Sequence, residues 1–136
     1  MGKALGIDYG TKRTGIAITD AMQIIAGGLT TVATHTLDHF ISNLVQKEAI
    51  ECFVVGDPKN LDGTATDSTS HVNGFVKRLQ KTYPKIHVHQ IDERFTSKIA
   101  KKSILASGVK KKGRRNKALV DEVSATIILQ NYLDYK

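Results

Sequence analysis

An aspartate stands inside the first apolar run of the chain. Ala4 to Tyr9 reads as a strand, and Asp8 interrupts its hydrophobic character one residue before the strand ends. A Gly/Thr/Lys turn follows, and Thr14 to Thr19 reads as a second strand that closes a hairpin. An ionised carboxylate in a half-buried strand costs several kcal/mol, in order of magnitude, unless a cation or hydrogen-bond donors compensate it. Asp8 is therefore expected to face positive charge, and a metal ion is the usual partner at an acidic site.

Further along, Gly27-Gly28 weakens a third strand expected from Ile24 to Val32. Leu37, Phe40, Ile41, Leu44 and Val45 fall at helical spacing, and Val72, Phe75, Val76 and Leu79 repeat that stripe until Tyr83-Pro84. Between them Ile50 to Val55 is an unalternating apolar run, the pattern of a strand covered on both faces. A strand from Ile86 to Ile91, a helix from Thr96 to Ala106, a basic loop from Lys110 to Lys117 and a last helix from Ala118 to Leu133 complete the reading. Strands in series followed by alternating helices and strands predict an α/β fold with a mixed sheet between helices, in the order βββαβαβα plus a C-terminal helix.

The chain has 136 residues, enough for one domain with a core of its own. Its single cysteine, Cys52, excludes an internal disulfide, and the apolar run around it makes it a small buried hydrophobe. No apolar stretch approaches the ~20 residues of a membrane span, and no signal peptide is visible. A soluble, cytoplasmic protein is expected.

Charge is unevenly placed. Twenty Lys and Arg against thirteen Asp and Glu give a net charge of +7. From Arg94 to Val120 there are ten basic residues and no acid, so the rest of the chain, ten basic against thirteen acidic, is mildly acidic. A basic quarter on an acidic body suggests a surface directed at a polyanion. The Lys110 to Lys117 stretch would hold a nucleic-acid backbone through Lys110, Lys111, Lys112, Arg114 and Arg115. Lys12, Arg13 and Arg94 are further candidates for phosphate contact; an ordinary solvated turn is the bland reading of the first two. Aromatic residues make up only 6% of the chain, so base stacking is not expected to dominate.

Three acidic spots could form one site: Asp8, Asp92-Glu93 at the exit of a strand parallel to the first, and Asp121-Glu122 opening the last helix. Parallel strands end on one side of a sheet, where open α/β sheets bind ligands. Asp121 shares a helical face with Ser124, Ala125, Ile128 and Tyr132, and the small residues would let that helix approach the sheet. Converging carboxylates repel each other, and Mg²⁺ or Mn²⁺ would remove that penalty. The residue pairs leave register open; Glu93 and Asp121 are preferred. His87 and His89 alternate on one strand face, but no third ligand at suitable spacing accompanies them, and they are read as surface or packing residues.

The segments Ile7 to Ala17, Val55-Gly56-Asp57-Pro58, Asp92 to Ser97, and Val120 through Leu133 resemble, in order, four motifs of the bacterial YqgF/RuvX family. The resemblance implies an RNase H-like, three-layer α/β/α fold over residues 1–136, similar to Holliday junction resolvases. It implies a nuclease acting in 5′-end maturation of pre-16S ribosomal RNA, with Asp8, Glu93 and Asp121 as the catalytic, metal-holding acids. Asp57 and Ser124 depart from the family pattern, and an inward-pointing Asp57 would perturb metal affinity. Expected partners are nucleic acid, as a ribosomal RNA precursor, single-stranded RNA or branched DNA, on a monomer or homodimer. Asp8-Tyr9-Gly10-Thr11 also resembles the phosphate loop of actin, Hsp70-type chaperones and sugar kinases, so a nucleotide-phosphate binder is a rival. A non-catalytic nucleic-acid-binding module is the other.

Overall fold

The computed structural model of the chain describes residues 2–58, 67–92 and 117–135. It contains β1 (Lys3–Asp8), β2 (Arg13–Thr19), β3 (Ala26–Ala33), α1 (Leu37–Lys47), β4 (Ile50–Asp57), α2 (Asp67–Thr82), β5 (His87–Asp92) and α3 (Lys117–Tyr135), with a single 3-10 turn at Thr34–Thr36 before α1. The five strands form one sheet in the order β3-β2-β1-β4-β5. β1, β2 and β3 pair antiparallel, whereas β1 with β4 and β4 with β5 pair parallel. The expected helix from Thr96 to Ala106 lies outside the described residues.

The sheet separates two apolar layers. On one side Leu5, Ile7, Ile16, Phe53 and Val55 pack against Leu37 and Ile41 of α1 and Val72, Phe75, Val76 and Leu79 of α2. On the other, Ala4, Ala17, Cys52 and Val54 pack against Ala125, Ile128 and Leu129 of α3. This is the three-layer arrangement, and β1 and β4 lie at its centre. Cys52 to Val55 are all buried because alternate residues enter the two layers. Arg78 on α2 grips Asp38 on α1 through Nε and Nη2 at 3.0 and 3.3 Å. α2 stops at Thr82, and Pro84 disfavours helical backbone at Tyr83.

Two boundaries differ from the sequence reading in an instructive way. β3 begins at Ala26, not Ile24, because Asp20 Oδ1 accepts the N–H groups of both Ile24 and Ile25 at 2.9 Å. Those donors are thereby withdrawn from the ladder, and the same bonds, Ile25 first, hold the Asp20 carboxyl below its usual pKa. α3 begins at Lys117, so the last residue of the expected basic loop opens the helix instead.

Candidate active site

The site grows from the end of β1. Alternation along the strand sends Leu5 and Ile7 to the α1/α2 layer and Ala4, Gly6 and Asp8 to the α3 layer. Asp8 is half-buried, as an acid at the mouth of a strand should be. Its register partner across the hairpin is Gly15. The turn between the strands is braced by Thr34: its Oγ1 donates to Gly10 O at 2.6 Å and lies 2.9 Å from the buried Thr14 hydroxyl, and its N–H donates to Lys12 O at 3.0 Å. Lys12 itself sits exposed on that turn.

α3 reaches this point because Gly15 has no side chain. A Cβ on Gly15 would overlap the carbonyl of Asp121, so the backbone of the first helical turns rests directly on the residue paired with Asp8. Farther along, a Cβ on Gly6 would come within 2.9 Å of Leu129 Cβ. α3 therefore runs antiparallel to β1 and brings its N-terminal end to the C-terminal end of that strand. Ser124 and Ala125, the small residues on the Asp121 face, are buried beneath it.

The helix register separates Asp121 from Glu122. Asp121 Oδ2 accepts a hydrogen bond from Arg13 Nε at 3.0 Å, at the Asp8 end of the hairpin. Glu122 instead lies over β3, where its Oε1 is 2.5 Å from where a Gly28 Cβ would stand. Asp121 is thus the acid of the pair directed toward the mouth of β1. Arg13 is occupied by this carboxylate, a partner the sequence did not suggest for it.

The strand register constrains the other acids. β4 and β5 pair Gly56 with Ile91 and Asp57 with Asp92. Ile91 packs in the α3 layer, so Asp92 and Asp57 are set on the opposite face from Asp8. The departure at Asp57 consequently does not put an extra acid into the Asp8 mouth. Glu93, Arg94, Lys110, Lys111, Lys112, Arg114 and Arg115 lie outside the described residues. Among the described residues no three His, Cys, Asp or Glu side chains gather as a metal would require. The hard carboxylate oxygens of Asp8 and Asp121 are nonetheless the donors that Mg²⁺ or Mn²⁺ prefers.

His87 is exposed and His89 is a packing residue. His89 packs against Tyr132 of α3 with the rings tilted by 36° and centroids 4.9 Å apart, and His87 lies 5.4 Å from His89. Burial and the neighbouring His87 depress the His89 pKa. Tyr132 is pushed up to about 12 by burial first and then by Cys52, whose Sγ is 3.7 Å from the phenol oxygen. Cys52 is buried as a thiol. Two site residues escaped the sequence reading. Gly15 carried a usable signal, since a lone glycine inside a strand marks close backbone approach. Thr34 carried none, because its partners are twenty or more positions away.

The mixed five-stranded sheet with helices on both faces, and an acid at the mouth of its central strand, is an RNase H-like architecture of the RuvC kind. It matches RuvC from T. thermophilus in complex with a Holliday junction substrate over 98% of this chain and 96% of that one, at a TM-score of 0.59 and 15% identity. A second RuvC structure from Thermus thermophilus matches over 97% and 96%, at a TM-score of 0.54 and 14% identity. A family model described as "RuvX: Holliday junction resolvase" matches residues 2–135, and the chain belongs to that family. Among its relatives, proteins named "Putative pre-16S rRNA nuclease" are 52% identical in Flavobacterium johnsoniae, over all of this chain and 99% of that one. The homologue of the same name in Phocaeicola vulgatus is 53% identical over all of this chain and 98% of its own. The four-motif resemblance and the expected fold both hold. No helix among the described residues is long and apolar enough to cross a membrane.

Proposed function

We propose that this chain is a single-domain, divalent-metal-dependent nuclease that hydrolyses phosphodiester bonds in the cytoplasm, acting in 5′-end maturation of pre-16S ribosomal RNA. The observation that carries the reading is the meeting of β2 and α3 at Gly15, the register partner of Asp8, which sets Asp121 beside the end of β1. The name shared by full-length relatives at about half identity supports the substrate class.

Asp8, Glu93 and Asp121 are the acids assigned to the metal. Asp92 belongs to the other face, which favours Glu93 as the acid of its pair. A bound Mg²⁺ or Mn²⁺ supplies an activated water and neutralises charge on the leaving oxygen. The chain's own residues then orient the strand: Lys12 on the exposed turn and Arg13 beside Asp121 meet phosphate oxygens near the cut. Arg94 and the basic segment Lys110, Lys111, Lys112, Arg114 and Arg115 hold the flanking backbone.

Junction resolution is the second reading, favoured by the family model's description and by the RuvC fold. A resolvase cuts two strands and needs a symmetric dimer. The test is to incubate the pure protein with structured precursor RNA, single-stranded RNA and a four-way DNA junction, with and without divalent metal. Metal-dependent cleavage of the RNA by a monomer is expected. Loss of at least about a hundredfold in Asp8→Asn, Glu93→Gln and Asp121→Asn should follow, as for groups that hold a catalytic metal. Robust cleavage by pure Asp8→Asn protein would overturn the role assigned to Asp8, and no cleavage of any substrate by the wild type would leave a non-catalytic binding module.

A further inference from the structure

Arg13 and Asp121 stand at opposite ends of the chain, yet Arg13 Nε donates to Asp121 Oδ2 at 3.0 Å. The contact is single-pronged. Among the described residues, neither the outer guanidinium nitrogens nor Oδ1 of Asp121 makes another hydrogen bond. Arg13 is 41% exposed at its side chain and Asp121 24%, so the pair lies where solvent and ligand can reach it. Ion pairs of this exposure are weakly held.

The location matters more than the strength. Arg13 is two residues from Gly15 along β2, on the same face, and Gly15 is the register partner of Asp8. The guanidinium therefore pivots from a point beside both acids. Its planar fork suits a phosphodiester better than a carboxylate reached through Nε alone.

We infer that Arg13 couples metal occupancy to nucleic-acid binding by exchanging partners. Arg13 and a divalent ion compete for the Asp121 carboxylate. An ion that recruits Asp121 releases the guanidinium, which then takes a backbone phosphate of the nucleic acid. Metal and nucleic acid thus assist one another, and the assistance is reciprocal because it is a binding linkage. The inference rests on reading Asp121 as a metal-holding acid, and its test separates the two.

The full chain is compared as wild type, Arg13→Gln and Arg13→Lys. Mn²⁺ uptake is measured by calorimetry without nucleic acid. Binding of a labelled single-stranded RNA is measured by fluorescence anisotropy, once in EDTA and once in Ca²⁺, which is taken to limit turnover. Arg13→Gln should bind Mn²⁺ about twofold to fivefold more tightly than wild type, since the competitor is gone. In EDTA its RNA affinity should stay within about twofold of wild type, because Arg13 is already engaged by Asp121. In Ca²⁺ the wild type should gain about twofold to fivefold more RNA affinity than Arg13→Gln, the same factor by linkage. Arg13→Lys keeps the charge without the fork; it should bind Mn²⁺ like wild type and recover only part of the RNA gain, and it carries the test if the Gln variant does not fold. RNA binding weakened equally in EDTA and Ca²⁺ would make Arg13 a constant phosphate contact and overturn the coupling. So would Mn²⁺ affinity that is unchanged or lower in Arg13→Gln. A wild-type protein that takes up no Mn²⁺ would overturn the metal reading itself, and the coupling with it.

Discussion

Replacing Gly15 by alanine adds one methyl group at the point where α3 meets the hairpin, and the structure fixes what that methyl meets. It would overlap the carbonyl oxygen and carbon of Asp121 and stand 3.0 Å from the Glu122 nitrogen. All three are helix backbone, so no rotamer change relieves the clash and the first turns of α3 must lift. Overpacking of this kind costs about 1–3 kcal/mol. For a chain of this length that is a fall in Tm of about 3–5 °C for each kcal/mol. Two neighbouring glycines calibrate the effect. A Cβ on Gly28 meets the Glu122 carboxylate and Cγ at 2.5 and 2.9 Å, a flexible side chain that can swing aside, so less than about 1 kcal/mol is expected. A Cβ on Gly27 meets nothing within 4 Å, and alanine there should be neutral or stabilise by about 0.4–1 kcal/mol through the unfolded chain. Thermal and urea unfolding of the three variants should rank them Gly15→Ala far below Gly28→Ala, and Gly27→Ala at or above wild type. Cleavage should follow the same order, since a displacement on the order of 1 Å at a catalytic group costs about a hundredfold. A Gly15→Ala protein melting within about 1 °C of Gly27→Ala would refute the seating of α3 on that residue.

Neutralising Lys110, Lys111, Lys112, Arg114 and Arg115 should weaken nucleic-acid binding and flatten its salt dependence. If about three of these cations meet phosphates, the slope of log affinity against log salt falls by roughly 2 to 3 in magnitude, and an unchanged slope would show the segment to be merely solvated. Stability should depend on pH through the His89–Tyr132 ring contact. The folded state holds His89 neutral, so below its ordinary value of 6.5 the unfolded chain takes the proton first and stability falls until the folded imidazole also protonates. Tyr132 acts at the other end: the folded state holds it neutral up to about 12, so stability falls as pH rises above its ordinary value of 10.0. Urea midpoints of wild type and His89→Gln across about pH 5.5 to 7.5 check the first effect, and a parallel pair of curves would refute it.

Much of the fold was legible because its signals are local. The helical stripe from Leu37 to Val45 and the one from Val72 to Leu79 became α1 and α2, with Leu37, Ile41, Val72 and Phe75 fully buried. The unalternating run at Ile50 became a strand covered by helices on both faces. Where a side chain competes with the backbone, local signals fail. Ile24 and Ile25 have strand propensity, but Asp20 takes their N–H groups, and both side chains stand exposed. The choice between Asp121 and Glu122 was undecidable in sequence because both residues sit on the edge of the same apolar stripe. The azimuth of α3, which depends on distant glycines, sets Asp121 against Gly15 and Glu122 over Gly28. Arg13 illustrates the same limit for charge: spacing marks a cation beside an acid-bearing turn, but not which acid it pairs with.

The β1–β2 hairpin is fixed at both of its ends by side chains from elsewhere. At the site end Thr34 clasps the turn through Gly10, Lys12 and Thr14. At the far end Gln23, with φ of 53°, is buried and donates from Nε2 to Gly2 O at 2.8 Å and to Glu51 Oε2. A left-handed glutamine is uncommon, and it persists because these bonds over-determine it. The main-chain positions of Asp8 and Asp121 follow from this frame: one is held in the ladder and the other on the bare Cα of Gly15. The direction of the Asp121 carboxylate is set differently, by one exposed bond to Arg13. Backbone that cannot yield and a side chain that can is the combination required of an acid that trades an internal cation for a bound one. The rigid part keeps the two carboxylates in register, and the weak part lets the exchange proceed without disturbing the helix.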